Sequence, residues 1–72
     1  MMVRAFPYRQ GNGYRSVLQA VSRDDARRTL HGWGAVFCEV KMDVDALFAL
    51  YADPDRDAQI DALLAAHENF SA

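Results

Sequence analysis

The chain has few of the features that would staple a small domain or advertise its chemistry. Cys38 is the single cysteine in 72 residues, so no intrachain disulfide can form, and an unpaired thiol fits a reducing, cytoplasmic compartment. Cys38, His31 and His67 are too scattered to match a zinc-ligand spacing, so neither a metal nor another cofactor is expected. The longest unbroken apolar run, Ala46 to Ala52, falls far short of the roughly 20 residues that cross a bilayer. The opening Met1-Met2-Val3-Arg4-Ala5-Phe6-Pro7 lacks an apolar stretch of signal-peptide length. No membrane contact and no export are therefore expected. With no internal repeat, low-complexity tract or linker, residues 1–72 read as one domain. A domain of this size buries only about 60% of the surface its unfolded chain exposes, so its core must be thin.

What is present is the composition of a folded protein. Hydrophobic residues make up 51% and charged residues 25% of the chain, outside the range of disordered tails. The net charge of −2 conceals an uneven distribution. Residues 1–34 carry six arginines against Asp24 and Asp25, whereas residues 35–72 carry Lys41 and Arg56 against eight carboxylates. Such asymmetry marks a charged partner, unless folding brings the two halves face to face.

Local patterns predict a ββαβαα order. Val3, Phe6 and Tyr8 precede Gln10-Gly11-Asn12-Gly13, and Asn-Gly is a strong hairpin signal, so Met2 to Arg9 and Tyr14 to Val21 form two strands. Ser22 followed by Asp25 reads as a helix start over Arg23 to about His31, with Gly32 placed for a left-handed C-terminal cap. Ala35 to Met42 alternates as a third strand, with Val36, Cys38, Val40 and Met42 toward the core and Phe37, Glu39 and Lys41 away from it. Asp43 then caps a helix with Val44, Leu47, Phe48 and Tyr51 at helical spacing. Asp53-Pro54 starts the last helix, with a stripe of Ile60, Leu63, Leu64 and His67. The expected fold is α+β, a three-stranded antiparallel sheet packed by helices.

The residues of catalysis are there, but each sits where structure already calls for it. Nucleophilic chemistry needs a thiol or hydroxyl held against an oriented base, and Cys38 falls on the inward face of a strand, where free cysteine acts as a small apolar residue. Asp53, Asp55 and Asp57 cluster at a helix start, where acidic groups are stabilising through the helix dipole. Gln10-Gly11-Asn12-Gly13 lacks the lysine and following helix of a phosphate-binding loop. No enzyme is expected. Two surfaces remain as candidates. One is acidic: Asp43, Asp45, Asp57, Asp61 and Glu68. The other is a sheet face or hairpin carrying Arg4, Arg9, Arg15 and Phe37, joined on one register by Phe6, Tyr8 and Gln19.

The stretch Gly32-Trp33-Gly34-Ala35-Val36-Phe37-Cys38 is similar to the RNA-recognition-motif signature in Gly32, Trp33, Gly34 and Val36. It departs from it where His31 replaces a leading basic residue and where Ala35 and Cys38 replace aromatics. In size and α+β economy the chain also resembles small phage-encoded inhibitors of host defence, including anti-CRISPR proteins. That resemblance implies a non-enzymatic inhibitor or regulator that docks on a larger protein or nucleoprotein complex, and this is the leading expectation. The alternative is a small nucleic-acid-binding domain using the N-terminal arginines and exposed aromatics, and a homodimer is compatible with either.

Overall fold

The computed structural model describes residues 1–70. Its elements are β1 (Met2–Gln10), β2 (Tyr14–Gln19), α1 (Arg23–Gly32), β3 (Val36–Phe37), β4 (Val40–Asp43), α2 (Val44–Ala52) and α3 (Arg56–Ala66). The fold is α+β, with one antiparallel sheet in which β1 has β2 on one side and β3 and β4 on the other.

The expected third strand is present in two pieces, and a proline is the reason. Tyr8 stands opposite Phe37 and Ala5 opposite Val40, so the register runs through without an inserted residue and the break is not a bulge. At the gap Pro7 faces Cys38. The Cys38 N–H donates to the Pro7 carbonyl at 3.1 Å, but proline has no N–H to return. The same register continues beyond the strand ends, where the Val44 N–H donates to the Met1 carbonyl at 2.8 Å.

Alternation along the strands feeds two separate cores. Ala5, Val17, Cys38 and Val40 pack beneath α2 and α3 against Leu47, Leu50, Ile60 and Leu64. Phe6, Tyr8 and Phe37 point the other way and pack with Ala26, Leu30 and Ala35 on the α1 side. Helices thus cover both faces of the sheet. This corrects the placement of Phe37 on the side away from the core: Phe37 is 2% exposed, and its ring meets Phe6 edge-on at 6.4 Å between centroids. The register corrects a second expectation. Arg9 lies opposite Arg15 and Pro7 opposite Val17, so Arg15 and Gln19 share the α3 side with Val17 rather than joining Phe6 and Tyr8.

Three helix details also differ from the sequence pattern. In α2 the buried residues are Leu47 and Leu50, while Phe48 and Tyr51 face outward. The helix is apolar all round, so periodicity alone does not choose its inner face. Asp53 does not cap α3 directly. Its carboxylate takes the Asp55 N–H at 2.7 Å and the Gln59 side-chain amide in a turn ahead of the helix, which begins at Arg56. In α1, Ser22 caps the start as expected, its Oγ accepting the Asp25 N–H at 3.2 Å. The cap at the other end belongs to Gly34 rather than Gly32. Gly34 has φ +69°, and its N–H and that of Ala35 donate to His31 and Leu30, each at 3.0 Å, the paired bonds of a Schellman ending.

The two glycines should therefore respond oppositely to alanine. Neither added Cβ meets an atom within 4 Å, so backbone conformation alone decides. Gly34→Ala should cost about 1–2 kcal/mol for a left-handed residue, whereas Gly32→Ala should stabilise α1 by up to about 1 kcal/mol. Thermal unfolding reads the difference, at roughly 4–8 °C per kcal/mol in a domain of this size. Equal shifts in the same direction would contradict the assignment.

Candidate protein-docking surface

Many of the singled-out charges are engaged within the fold. The Asp43 carboxylate accepts from the N-terminal ammonium at 2.9 Å and from the Asp45 N–H at 3.0 Å. The ammonium, helped by the N–H groups of Asp45 and Ala46, holds its pKa below the usual carboxylate value. Asp61 pairs with Arg15, Nε to Oδ1 at 2.6 Å. Hydrogen bonding to Arg15 lowers its pKa, and the fields of Arg15 and Arg9 add to the effect. Arg4 approaches Glu39 at 3.9 Å, and Arg23 binds the same carboxylate at 2.6 Å. These pairs join the basic first half to the acidic second half, and folding thereby cancels part of the asymmetry. Arg9, Asp45, Asp57 and Glu68 are exposed and form no ion pair among the described residues.

Cys38 is fully buried. Burial pushes its thiol up to about 11, far from the thiolate that nucleophilic chemistry requires. Among the described residues no group of three His, Cys, Asp or Glu side chains converges as metal ligands, and no helix is long and apolar enough to cross a membrane.

The outward face of α2 is the largest departure from an ordinary solvated surface. Asp45, Ala46, Phe48, Ala49, Tyr51 and Ala52 are all exposed, Phe48 at 59%. Asp45 is the helix's only charge. A surface helix normally sets a charged face against its apolar stripe, and α2 instead shows a second apolar side. Leu47 and Leu50 hold it against the sheet and α3, and the Tyr51 hydroxyl donates to the Val17 carbonyl at 2.5 Å on the outer edge of β2. Burial is the main cause that raises the pKa of Tyr51. Acidic groups flank this face, with Asp45 at one end and Asp53 at the other.

A second exposed group lies by the hairpin on the α1 side. Trp33, Tyr8 and Tyr14 form a chain of tilted rings, with centroids 5.7 Å and 6.3 Å apart. Trp33 is 45% and Tyr14 56% exposed. The Gln10 side-chain amide donates to the Trp33 carbonyl at 3.3 Å and ties the α1 ending to the hairpin. Sequence reading missed this cluster. Tyr14 follows a three-residue turn and pairs with Gln10, which sets it diagonally beside Tyr8, and that neighbourhood is visible only once the register is known.

Comparison with protein-family models, curated proteins and solved structures finds no match to this chain.

The Arg15–Asp61 pair carries a pH signature. Because the folded-state pKa of Asp61 is depressed, its contribution is fully present above the unfolded carboxylate value of about 3.9. It is lost as pH falls through the lower folded value. Asp43 acts in the same direction. The urea midpoint should therefore fall between about pH 6 and pH 2, and Asp61→Asn should make that fall shallower. An unchanged pH dependence in Asp61→Asn would show that the pair contributes nothing in solution.

Proposed function

We propose that the protein is a small non-enzymatic binding module, an inhibitor or regulator that docks on a larger protein or nucleoprotein complex through the outward face of α2. The observation behind this reading is the exposed apolar side of a helix that carries only one charge, centred on Phe48. Fully burying a phenylalanine side chain is worth about 1.5–3 kcal/mol, and aromatic anchors ringed by polar groups are typical of interface centres. Asp45 and Asp53 stand at the two ends of that face, and Asp57 follows in the first turn of α3; the Arg56 guanidinium reaches the Tyr51 carbonyl between them, and the excess of carboxylates favours a basic counterpart. A cytoplasmic setting agrees with the free thiol of Cys38. The resemblance in size to phage-encoded inhibitors, anti-CRISPR proteins among them, gives the reading one concrete form.

The test is affinity capture from the native cell with three baits: the wild type, Phe48→Asp and Asp57→Lys. Both side chains are exposed, so circular dichroism should show the fold unchanged. A dominant partner should be lost with Phe48→Asp and weakened with Asp57→Lys. Capture that survives Phe48→Asp would remove α2 as the docking face. Light scattering on the same proteins would show whether the face pairs two copies of the chain instead.

A second reading is favoured by the Trp33–Tyr8–Tyr14 rings. Bases of a single strand stack on such rings for about 1–3 kcal/mol each, and Arg27, Arg28 and His31 line a shallow depression on the same α1 side. It ranks second because the chain as a whole is acidic, whereas phosphate binders are usually basic. On this reading single-stranded DNA or RNA binds at low salt, weakens steeply toward physiological salt, and is lost when Trp33 and Tyr14 are changed to alanine. No binding at low salt would eliminate it.

A further inference from the structure

Beyond α3, Phe70 docks on the edge of the sheet. Phe70 forms a two-way backbone bridge with Phe37: the Phe37 N–H donates to the Phe70 carbonyl at 2.9 Å, and the Phe70 N–H donates to the Phe37 carbonyl at 2.7 Å. Its ring lies 5.5 Å from the Phe37 ring. The guanidinium carbons of Arg23 and Arg27 stand 5.8 Å and 5.7 Å from the ring centroid. Extended peptides add to sheet edges through main-chain hydrogen bonds with alternate side chains in pockets, and cations beside an aromatic ring strengthen its hold.

The chain uses only part of this edge. α3 packs on one face of the sheet, while Phe70 joins the core on the other, so residues 67–69 must cross the edge, and all three are exposed. In an antiparallel ladder the backbone groups of alternate residues point the same way. Since those of Phe37 point outward to Phe70, those of Glu39 and Lys41 point outward too. No described residue pairs with them, because the tail turns back to α3 after a single rung. Beside them lies a groove of about 330 Å³ lined by Arg23, Glu39, Lys41, Glu68 and Phe70. Glu39 is engaged by Arg4 and Arg23, whereas exposed Lys41 has no ion pair among the described residues.

We infer that the outer edge of β3 and β4 is a strand-addition site for an extended partner peptide with an aromatic anchor and a carboxylate four residues before it. Phe70 fills the anchor position in cis. In the register of the Phe37–Phe70 bridge, the residue two before the anchor pairs with Glu39 and the residue four before it pairs with Lys41. A carboxylate there lies directly across from the Lys41 ammonium. The tethered tail competes at an effective concentration of roughly millimolar, so the site is closed to weak peptides. A partner strand displaces it through the two rungs the tail cannot make. None of these edge residues belongs to α2, and the inference stands whether or not α2 docks.

The probe is a labelled synthetic peptide of residues 66–72 carrying Ala66→Glu opposite Lys41 and Glu68→Gln, which removes a like charge opposite Glu39, followed by fluorescence anisotropy with the full-length protein. It should bind the Phe70→Ala protein at least tenfold more tightly than the wild type. Adding Lys41→Glu to that protein should weaken binding at least fivefold, and replacing the peptide's own phenylalanine with alanine should abolish it. Equal binding to Phe70→Ala and wild type, no binding to a folded Phe70→Ala protein, or indifference to either further change would overturn the inference. A measurement on the wild type guards against unfolding of the variant. The Phe37 amide, held only by the tail, should exchange with deuterium at least tenfold faster than the Cys38 amide, held by Pro7. Equal exchange rates would make the tail a fixed part of the core and would also overturn the inference.

Discussion

β1 is the one strand with neighbours on both sides, and its pairing sets everything around it. Because successive side chains of a strand point to opposite faces, β1 sends Ala5 into one core and Phe6 and Tyr8 into the other. Each face then needs its own cover, α2 and α3 on one side and α1 on the other. Proline within a strand that is paired on both sides is unusual, because it removes a donor from the ladder. Here the loss falls on the Cys38 side, so the β1–β2 register runs unbroken through Pro7 while the opposite strand divides into β3 and β4.

The outer edges of the sheet are met by aromatic residues from the second half of the chain, one through its side chain and one through its backbone. On β2, the Tyr51 hydroxyl donates to the Val17 carbonyl. On β3, Phe70 takes both backbone groups of Phe37. Exposed strand edges invite pairing with other chains, and covering them is a common protection. The cover is incomplete from the end of β3 into β4, where the backbone of Glu39 and Lys41 is left open. The same aromatics that close a small sheet therefore leave the places where another chain could add to it.

Charge divides between fold and surface in a similar manner. Arg15 with Asp61, and Arg4 and Arg23 with Glu39, join residues distant in sequence. Exposed ion pairs of this kind stabilise little individually, so their clearer effect is to withdraw those charges from the outside. The carboxylates left free include Asp45, in the first turn of an α2 whose outward face is otherwise apolar, and Asp57, in the first turn of α3. An apolar centre with a carboxylate at each end of the helix is the arrangement on which the docking reading rests.

The order of elements, the Ser22 cap, the Asp43 cap and the inward placement of Cys38 and Val40 were legible in the sequence. Each depends on local conformation or on period-two alternation, which neighbouring residues impose without reference to the rest of the chain. Tertiary structure alone decided the faces and partners. Tyr14 reached Tyr8 through the hairpin register, Trp33 reached Tyr8 from the end of α1, and Arg15 reached Asp61 because that register turned it toward α3. Phe48 faced outward because a helix apolar all round has no preferred side until Leu47 and Leu50 meet the sheet. Phe37 was buried because α1 and Phe70 closed a face that alternation would leave free. A local pattern states which residues share a side; only packing against distant segments determines what that side meets.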